Sequence, residues 1–208
     1  MNEPQEPIIP KFILLLGSYD PDTKKLLYEI RNFIAKSFVE DVYALILEEL
    51  EVYKGEENYF FMVEKGREPM LYAFRLYGLF DVRPLKITNP NELDNIVRNI
   101  VNKNYNTDIT GRLPIIEKLE ALAKSSELVL VIRDKQYSRC GEYIELTFLL
   151  EKGVDPRNVV FIVNKDIELS TMVKELLDYY WFVLRIYSSK DDLMDLIYRL
   201  VYYGVLRK

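Results

Sequence analysis

The residues best placed to do chemistry follow an apolar, β-branched-rich run, Leu128 to Ile132, which leads into Arg133 and Asp134 and then into Ser138, Gly141, Glu142 and Glu145. A carboxylate in such a place can act as a nucleophile, or as the electrostatic partner of a sugar cation developing at an anomeric carbon. Glu142 and Glu145 are three residues apart, so on a helix they occupy neighbouring surface positions. A second group, Gly17, Ser18, Tyr19 and Asp20, follows another apolar run, Phe12 to Leu16. In a parallel sheet both groups fall at the carboxyl ends of strands, where open α/β sheets hold their ligands. The same residues also have a structural reading. Acidic side chains in the first turns of a helix complement its dipole, and aspartate after a strand is a common turn former.

Other chemistries are narrowed by what the chain lacks. It contains no histidine, which removes the commonest general base and zinc ligand. Cys140 is the single cysteine, so no intrachain disulfide or thiolate cluster can form, and no histidine is present to pair with it as a nucleophile. No cofactor and no metal are expected. The Gly-x-Gly-x-x-Gly and Gly-x-x-x-x-Gly-Lys-Ser/Thr patterns are both absent.

The elements that must position these groups are legible from periodicity. Phe12–Leu16, Val42–Leu47, Leu128–Ile132, Asn158–Val163 and Trp181–Ile186 read as strands, most of them buried on both faces. Asp20-Pro21 predicts a helix start, and Leu26, Leu27, Ile30, Phe33 and Ile34 form its apolar stripe. A helix from about Arg139 to Lys152 is predicted with Ile144, Thr147, Phe148 and Glu151 recurring along it, stopped by Gly153. Further helices are predicted from Pro114, over Glu168 to Tyr179, and after a capping box at Ser189 to Asp192. Strand and helix alternating in this way predict an α/β fold, a doubly wound, mostly parallel sheet of flavodoxin-like or Rossmann-like class, with right-handed crossovers.

Between about residues 56 and 111 the alternation breaks. Tyr59–Glu64 and Met70–Leu76 read as a hairpin around Lys65 to Pro69, with a short strand at Leu85–Thr88 and a helix carrying Leu93, Ile96, Val97, Ile100 and Val101. The expected organisation is thus a flexible tail over residues 1–10 and a single α/β domain over 11–208, with this segment inserted. The last helix carries Tyr198, Tyr202 and Tyr203, either packed against the sheet or forming a homodimer interface.

At 208 residues, 49% hydrophobic, the chain can bury a substantial core, and its net charge of −5 and pI near 5.1, with no basic face, argue against nucleic acid as a partner. No apolar run is long enough to cross a bilayer and Met1 to Pro10 is unlike a signal peptide, so no membrane partner is expected and the predicted location is cytoplasmic. Two glutamines beside many Lys, Glu and Ile lean towards a thermophile, while twelve asparagines lean away.

A first strand ending in Gly17-Ser18-Tyr19, an apolar strand ending in Asp134, and then Ser138-x-x-Gly141-x-x-x-Glu145-Leu146 resemble the nucleoside 2-deoxyribosyltransferase-like and TIR-like superfamily. The resemblance covers residues 12–50 loosely and 112–165 more fully. It implies a nucleoside, nucleotide or NAD as ligand and N-glycosidic-bond chemistry. The glutamate four residues after the loop glycine, here Glu145, would be the nucleophile or would support cleavage, Asp134 would match the aspartate at the strand end, and Tyr19 the aromatic residue of the first loop. Gly17, Ser18, Asp20, Ser138, Gly141 and Glu142 complete the expected ligand contacts. The alternative is a non-catalytic nucleotide sensor or protein-interaction domain of the same fold.

Overall fold

In a computed structural model of the chain, the structure describes residues 10–18, 20–39, 41–65, 68–76, 78–85, 93–136 and 141–207. In chain order the elements are β1 (Lys11–Gly17), α1 (Pro21–Ser37), β2 (Val42–Ile46), β3 (Val52–Lys54), β4 (Tyr59–Lys65), β5 (Glu68–Arg75), β6 (Gly78–Pro84), α2 (Leu93–Tyr105), β7 (Gly111–Arg112), α3 (Ile115–Ser125), β8 (Leu128–Arg133), α4 (Gly141–Glu151), β9 (Val159–Asn164), α5 (Thr171–Tyr179), β10 (Val183–Tyr187) and α6 (Lys190–Val201). The described residues form two compact units, residues 10–47 with 126–207, and residues 48–125.

The first unit is a five-stranded sheet in the order β10-β9-β8-β1-β2 with every neighbouring pair parallel. β1, β2, β8 and β9 carry continuous apolar runs because both faces are covered, whereas the edge strand β10 carries Arg185 and is partly exposed. On one face Ile13, Leu15, Ala44, Leu130, Ile132 and Ile162 pack with Leu27, Ile30 and Ile34 of α1 and Leu193, Ile197 and Val201 of α6. Strand alternation puts Phe161 on the opposite face, where the Tyr143 ring of α4 stacks on it at 5.8 Å between centroids. Strand order reverses between β1 and β8: β2 lies outward from β1 on one side, and β8, β9 and β10 run outward on the other.

Gly17 closes this central pair. It pairs with Ile132, and a Cβ added to it would sit 3.0 Å from the Ile132 carbonyl oxygen and 3.4 Å from Thr23 Cγ2. The oxygen belongs to backbone that cannot move aside without breaking the ladder. Gly17→Ala is therefore expected to destabilise the chain by about 1–3 kcal/mol, seen as a lower urea midpoint.

The second unit is an antiparallel sheet in the order β6-β5-β4-β3-β7. Tyr53, Phe60, Leu71 and Ala73 on one face form a core with Val97 and Val101 of α2, and α3 lies against β5 and β6, with Ser125 Oγ donating to the Arg75 carbonyl at 2.9 Å. What reads from sequence as an inserted hairpin over 56–111 is thus a sheet of five strands within a unit spanning 48–125. Two of its strands escape sequence detection because β3 has three residues and β7 two, too short to show a period. β6, which the sequence reading does not pick out, is an edge strand whose Asp81 and Arg83 interrupt the apolar pattern; the strand expected at Leu85–Thr88 lies outside the described residues except for Leu85. The helix beginning at Pro114 belongs by its contacts to this unit, not to the parallel alternation.

Within the parallel unit the expected helix and strand bounds shift at two places. α5 begins at Thr171, with Ser170 as its cap, because the Glu168 N–H is already taken by the Gln136 side chain. β10 begins at Val183 because Trp181 and Phe182 close α5: their N–H groups donate to the carbonyls of Asp178 and Leu177 at 3.2 and 3.0 Å. This is the Schellman arrangement, with Trp181 at φ +62° in the position where glycine is favoured. The Trp181 side chain is 82% exposed, so little burial offsets a backbone that costs an L-residue about 1–2 kcal/mol. Trp181→Gly is expected to raise unfolding free energy by roughly 1 kcal/mol in a denaturant titration.

At the last helix, Ser189 Oγ accepts from Asp192 N–H at 3.2 Å as a cap should, while Asp192 Oδ2 accepts from Ser188 N–H at 2.8 Å, one residue earlier than the expected box. Tyr198 stacks on Phe38 at 5.0 Å and Tyr202 packs against the core, while Tyr203 is exposed. The expected tail over residues 1–10 lies outside the described residues except for Pro10, which is buried.

Candidate functional site

At the end of β1, Asp20 caps α1. Its Oδ1 accepts the N–H groups of Asp22 and Thr23, each at 3.1 Å, and its Oδ2 accepts the Thr23 hydroxyl at 2.6 Å. Lys135, from the loop after β8, places Nζ 3.3 Å from Asp20 Oδ1 and also pairs with Asp22. Burial alone would raise the Asp20 carboxyl, but the two Thr23 hydrogen bonds, with Lys135 and a weaker contribution from Ser18, hold it well below the usual carboxylate range. Ser18 Oγ is buried and falls short of hydrogen-bond geometry to any described group.

A carboxyl whose folded-state pKa is depressed stabilises the fold at pH values above its unfolded pKa, near 3.9, and loses that contribution as pH falls towards the folded value. The stability difference between wild type and Asp20→Asn should therefore be present at pH 7 and shrink steadily below about pH 4. Parallel urea titrations across that range would check it, and a difference that persisted in acid would rule out the charge as its source.

At the end of β8, Arg133 is buried with its guanidinium 4.8 Å from the Tyr143 ring centroid, and its Nη2 donates to the Gln136 carbonyl at 2.9 Å. Asp134 accepts a hydrogen bond from the Tyr187 hydroxyl at the end of β10. Burial, and then the Asp134 carboxylate, push the Tyr187 phenol above its ordinary value, so it remains a donor throughout the accessible pH range. Gln136 clasps the loop after β9, its Nε2 donating to the Glu168 carbonyl at 3.2 Å and its Oε1 accepting the Glu168 N–H at 2.9 Å. Beside this clasp a cavity of about 380 Å³ is lined by Asn164, Ile167, Glu168, Lys174, Leu184 and Ile186.

Glu145 lies on the buried side of α4 with only 8% exposure, next to Leu146 and one turn before Leu149, whereas Ile144 is 71% exposed. The stripe expected from Ile144, Thr147, Phe148 and Glu151 is therefore rotated: Thr147 and Glu151 also face solvent. The helix is apolar nearly all round, so periodicity alone does not fix which side is inward. Its inward side carries a glutamate.

No family model and no curated protein matches the chain.

Of the residues singled out from sequence, Gly17 meets β8 and Asp20 meets Lys135 of the next loop, so the first two turns are brought together. Asp134 is turned to Tyr187, and Glu145 is buried in α4. Tyr19 and Ser138 lie outside the described residues, and of Gly141 and Glu142 only the helical backbone is described. Sequence reasoning missed Lys135, Gln136 and Tyr187. Tyr187 stands at the last position of its strand, as Asp134 follows the last of β8, and equivalent strand ends on one rim were the signal that could have found it. Among the described residues no three acidic or cysteine side chains gather as metal ligands, and no helix is long and apolar enough to cross a membrane.

Proposed function

We propose that the parallel unit is a doubly wound, flavodoxin-like domain that binds a nucleoside, nucleotide or NAD at its carboxyl rim and acts on the N-glycosidic bond. The observation that carries this reading is the inverted polarity of α4, where Glu145 is buried and Ile144 exposed. An acidic side chain on the inward side of an otherwise apolar helix departs from its binary pattern, and such departures concentrate at functional sites. The strand order supports the ligand position, because it reverses between β1 and β8, and open α/β sheets hold their ligands at the carboxyl ends beside such a reversal.

In this reading the Glu145 carboxylate bonds to the anomeric carbon as the bond to the base breaks and its electron pair leaves with the base nitrogen. The resulting glycosyl ester passes to water or to an acceptor base. Asp134, fixed by Tyr187, orients a sugar hydroxyl or the leaving base. One observation favours the binding-only alternative: Asp134 and Asp20 already hold partners within the chain. The deciding experiment incubates the chain with deoxynucleosides, their nucleotides and NAD, separates free base and nicotinamide by chromatography, and follows melting temperature in the same samples. Base release that Glu145→Gln abolishes supports the enzyme, a raised melting temperature without release supports the sensor, and neither effect removes both.

A further inference from the structure

The face of the parallel sheet opposite α1 and α6 is incompletely covered at its β10 end. Val183 and Tyr187 pack into the core shared with α1 and α6, so Leu184 and Ile186 lie on the other face, beside Phe161 and Val163 of β9. Of α5 only Leu177 is buried, and Ile186 stays 63% exposed. The space left is the cavity of about 380 Å³, with Val163, Leu184 and Ile186 in its apolar lining. At about 30 Å³ per water it holds roughly a dozen, the room a small metabolite needs.

The polar part of the lining is fixed in its main chain and unpaired in its side chains. Lys165 N–H donates to the Tyr187 carbonyl at 2.9 Å, Asp166 N–H donates to Asn164 Oδ1 at 3.0 Å, and the Gln136 side chain holds both main-chain groups of Glu168. Lys174, from α5, completes the charged lining. Among the described residues, none of the four charged side chains makes an ion pair or hydrogen bond. Exposed charges elsewhere do pair, Lys190 with Glu29 and Lys124 with Glu120. A loop already held in place loses little further freedom on binding. An anion drawn to Lys165 and Lys174 would meet Asp166 and Glu168, and a cation drawn to the carboxylates would meet the lysines. A molecule carrying both charges matches both pairs.

We infer that this cavity binds a small zwitterion with an apolar side chain, the chemistry of a free aliphatic or aromatic α-amino acid. Lys165 and Lys174 take its carboxylate, Asp166 and Glu168 its ammonium, and Leu184 and Ile186 its side chain. The site uses neither Glu145 nor Asp134 and stands whether or not they act on a nucleoside. Calorimetric titration of the full chain with leucine, isoleucine, methionine and phenylalanine tests it, each beside its amide, which lacks the negative charge, and the acid without its amino group, which lacks the positive one. The expected result is at least one amino acid held about tenfold or more tightly than both of its singly charged counterparts. Lys174→Gln should narrow the gap to the amide, and Glu168→Gln the gap to the acid; both positions are exposed, so the fold is retained. A singly charged counterpart bound as tightly as its amino acid overturns the zwitterion, and amino-acid binding that neither variant alters overturns the placement in this cavity. Binding of none of these molecules by a chain whose circular dichroism is native overturns the site.

Discussion

Glu145→Gln is expected to lower base release by about a thousandfold or more while leaving the chain folded. The substitution keeps the size and shape of the side chain and removes only the charge. A neutral amide cannot bond to an anomeric carbon or balance a sugar cation, so the loss falls on the chemical step and appears in kcat and kcat/KM together. Stability is read separately, because the amide occupies the same, 8% exposed, position with nearly the same volume. Chromatographic rates beside calorimetric melting curves separate the outcomes. Unchanged release would remove Glu145 from the chemistry, and a collapsed melting temperature would make it a structural residue.

The largest stability effect is expected at Phe161. Its side chain is fully buried in β9, and the Tyr143 ring of α4 rests on it with the Arg133 guanidinium on that same ring, so three layers link the sheet to the helix that carries Glu145. Phe161→Ala removes the lowest layer and leaves a void beneath α4, which should cost about 3–5 kcal/mol in urea unfolding. Phe161→Leu keeps most of the volume and should cost roughly 1–1.5 kcal/mol. If the layers position α4 as well as stabilise it, the leucine variant should also weaken ligand binding while remaining folded; unaltered binding would confine the stack to stability.

The parallel core was readable because its strands other than the edge strand β10 carry uninterrupted apolar runs and its helix starts carry their own signals: Asp20-Pro21 marks α1, and Ser189 marks α6. The antiparallel unit was read only in part, since β3 and β7 are shorter than any period and β6 is an edge strand with charges at Asp81 and Arg83. At the candidate site, local pattern located Gly17, Asp20, Asp134 and Glu145 but not their partners. Tyr187 reaches Asp134 from 53 residues away and Lys135 reaches Asp20 from 115, and pairings across such separations are set by sheet order, which one sequence does not display. The rotation of α4 was hidden for a different reason, because a helix with apolar residues on every side gives no direction.

The pairing of β1 with β8, from Ile13 with Leu128 to Gly17 with Ile132, joins strands separated in the chain by the whole of residues 48–125. Loop closure over such a length adds little to the equilibrium cost, about 0.6 kcal/mol per doubling, but it delays the search for the contact. The antiparallel unit has no such delay, since its β4, β5 and β6 follow one another in sequence and pair in that order, Lys65 with Glu68 and Arg75 with Gly78. During synthesis β1 has only β2 beside it until Leu128 emerges. Its other edge, the apolar run Phe12 to Leu16, stays open for that interval. A translational pause before Leu128 would prolong the state most exposed to strand-to-strand aggregation.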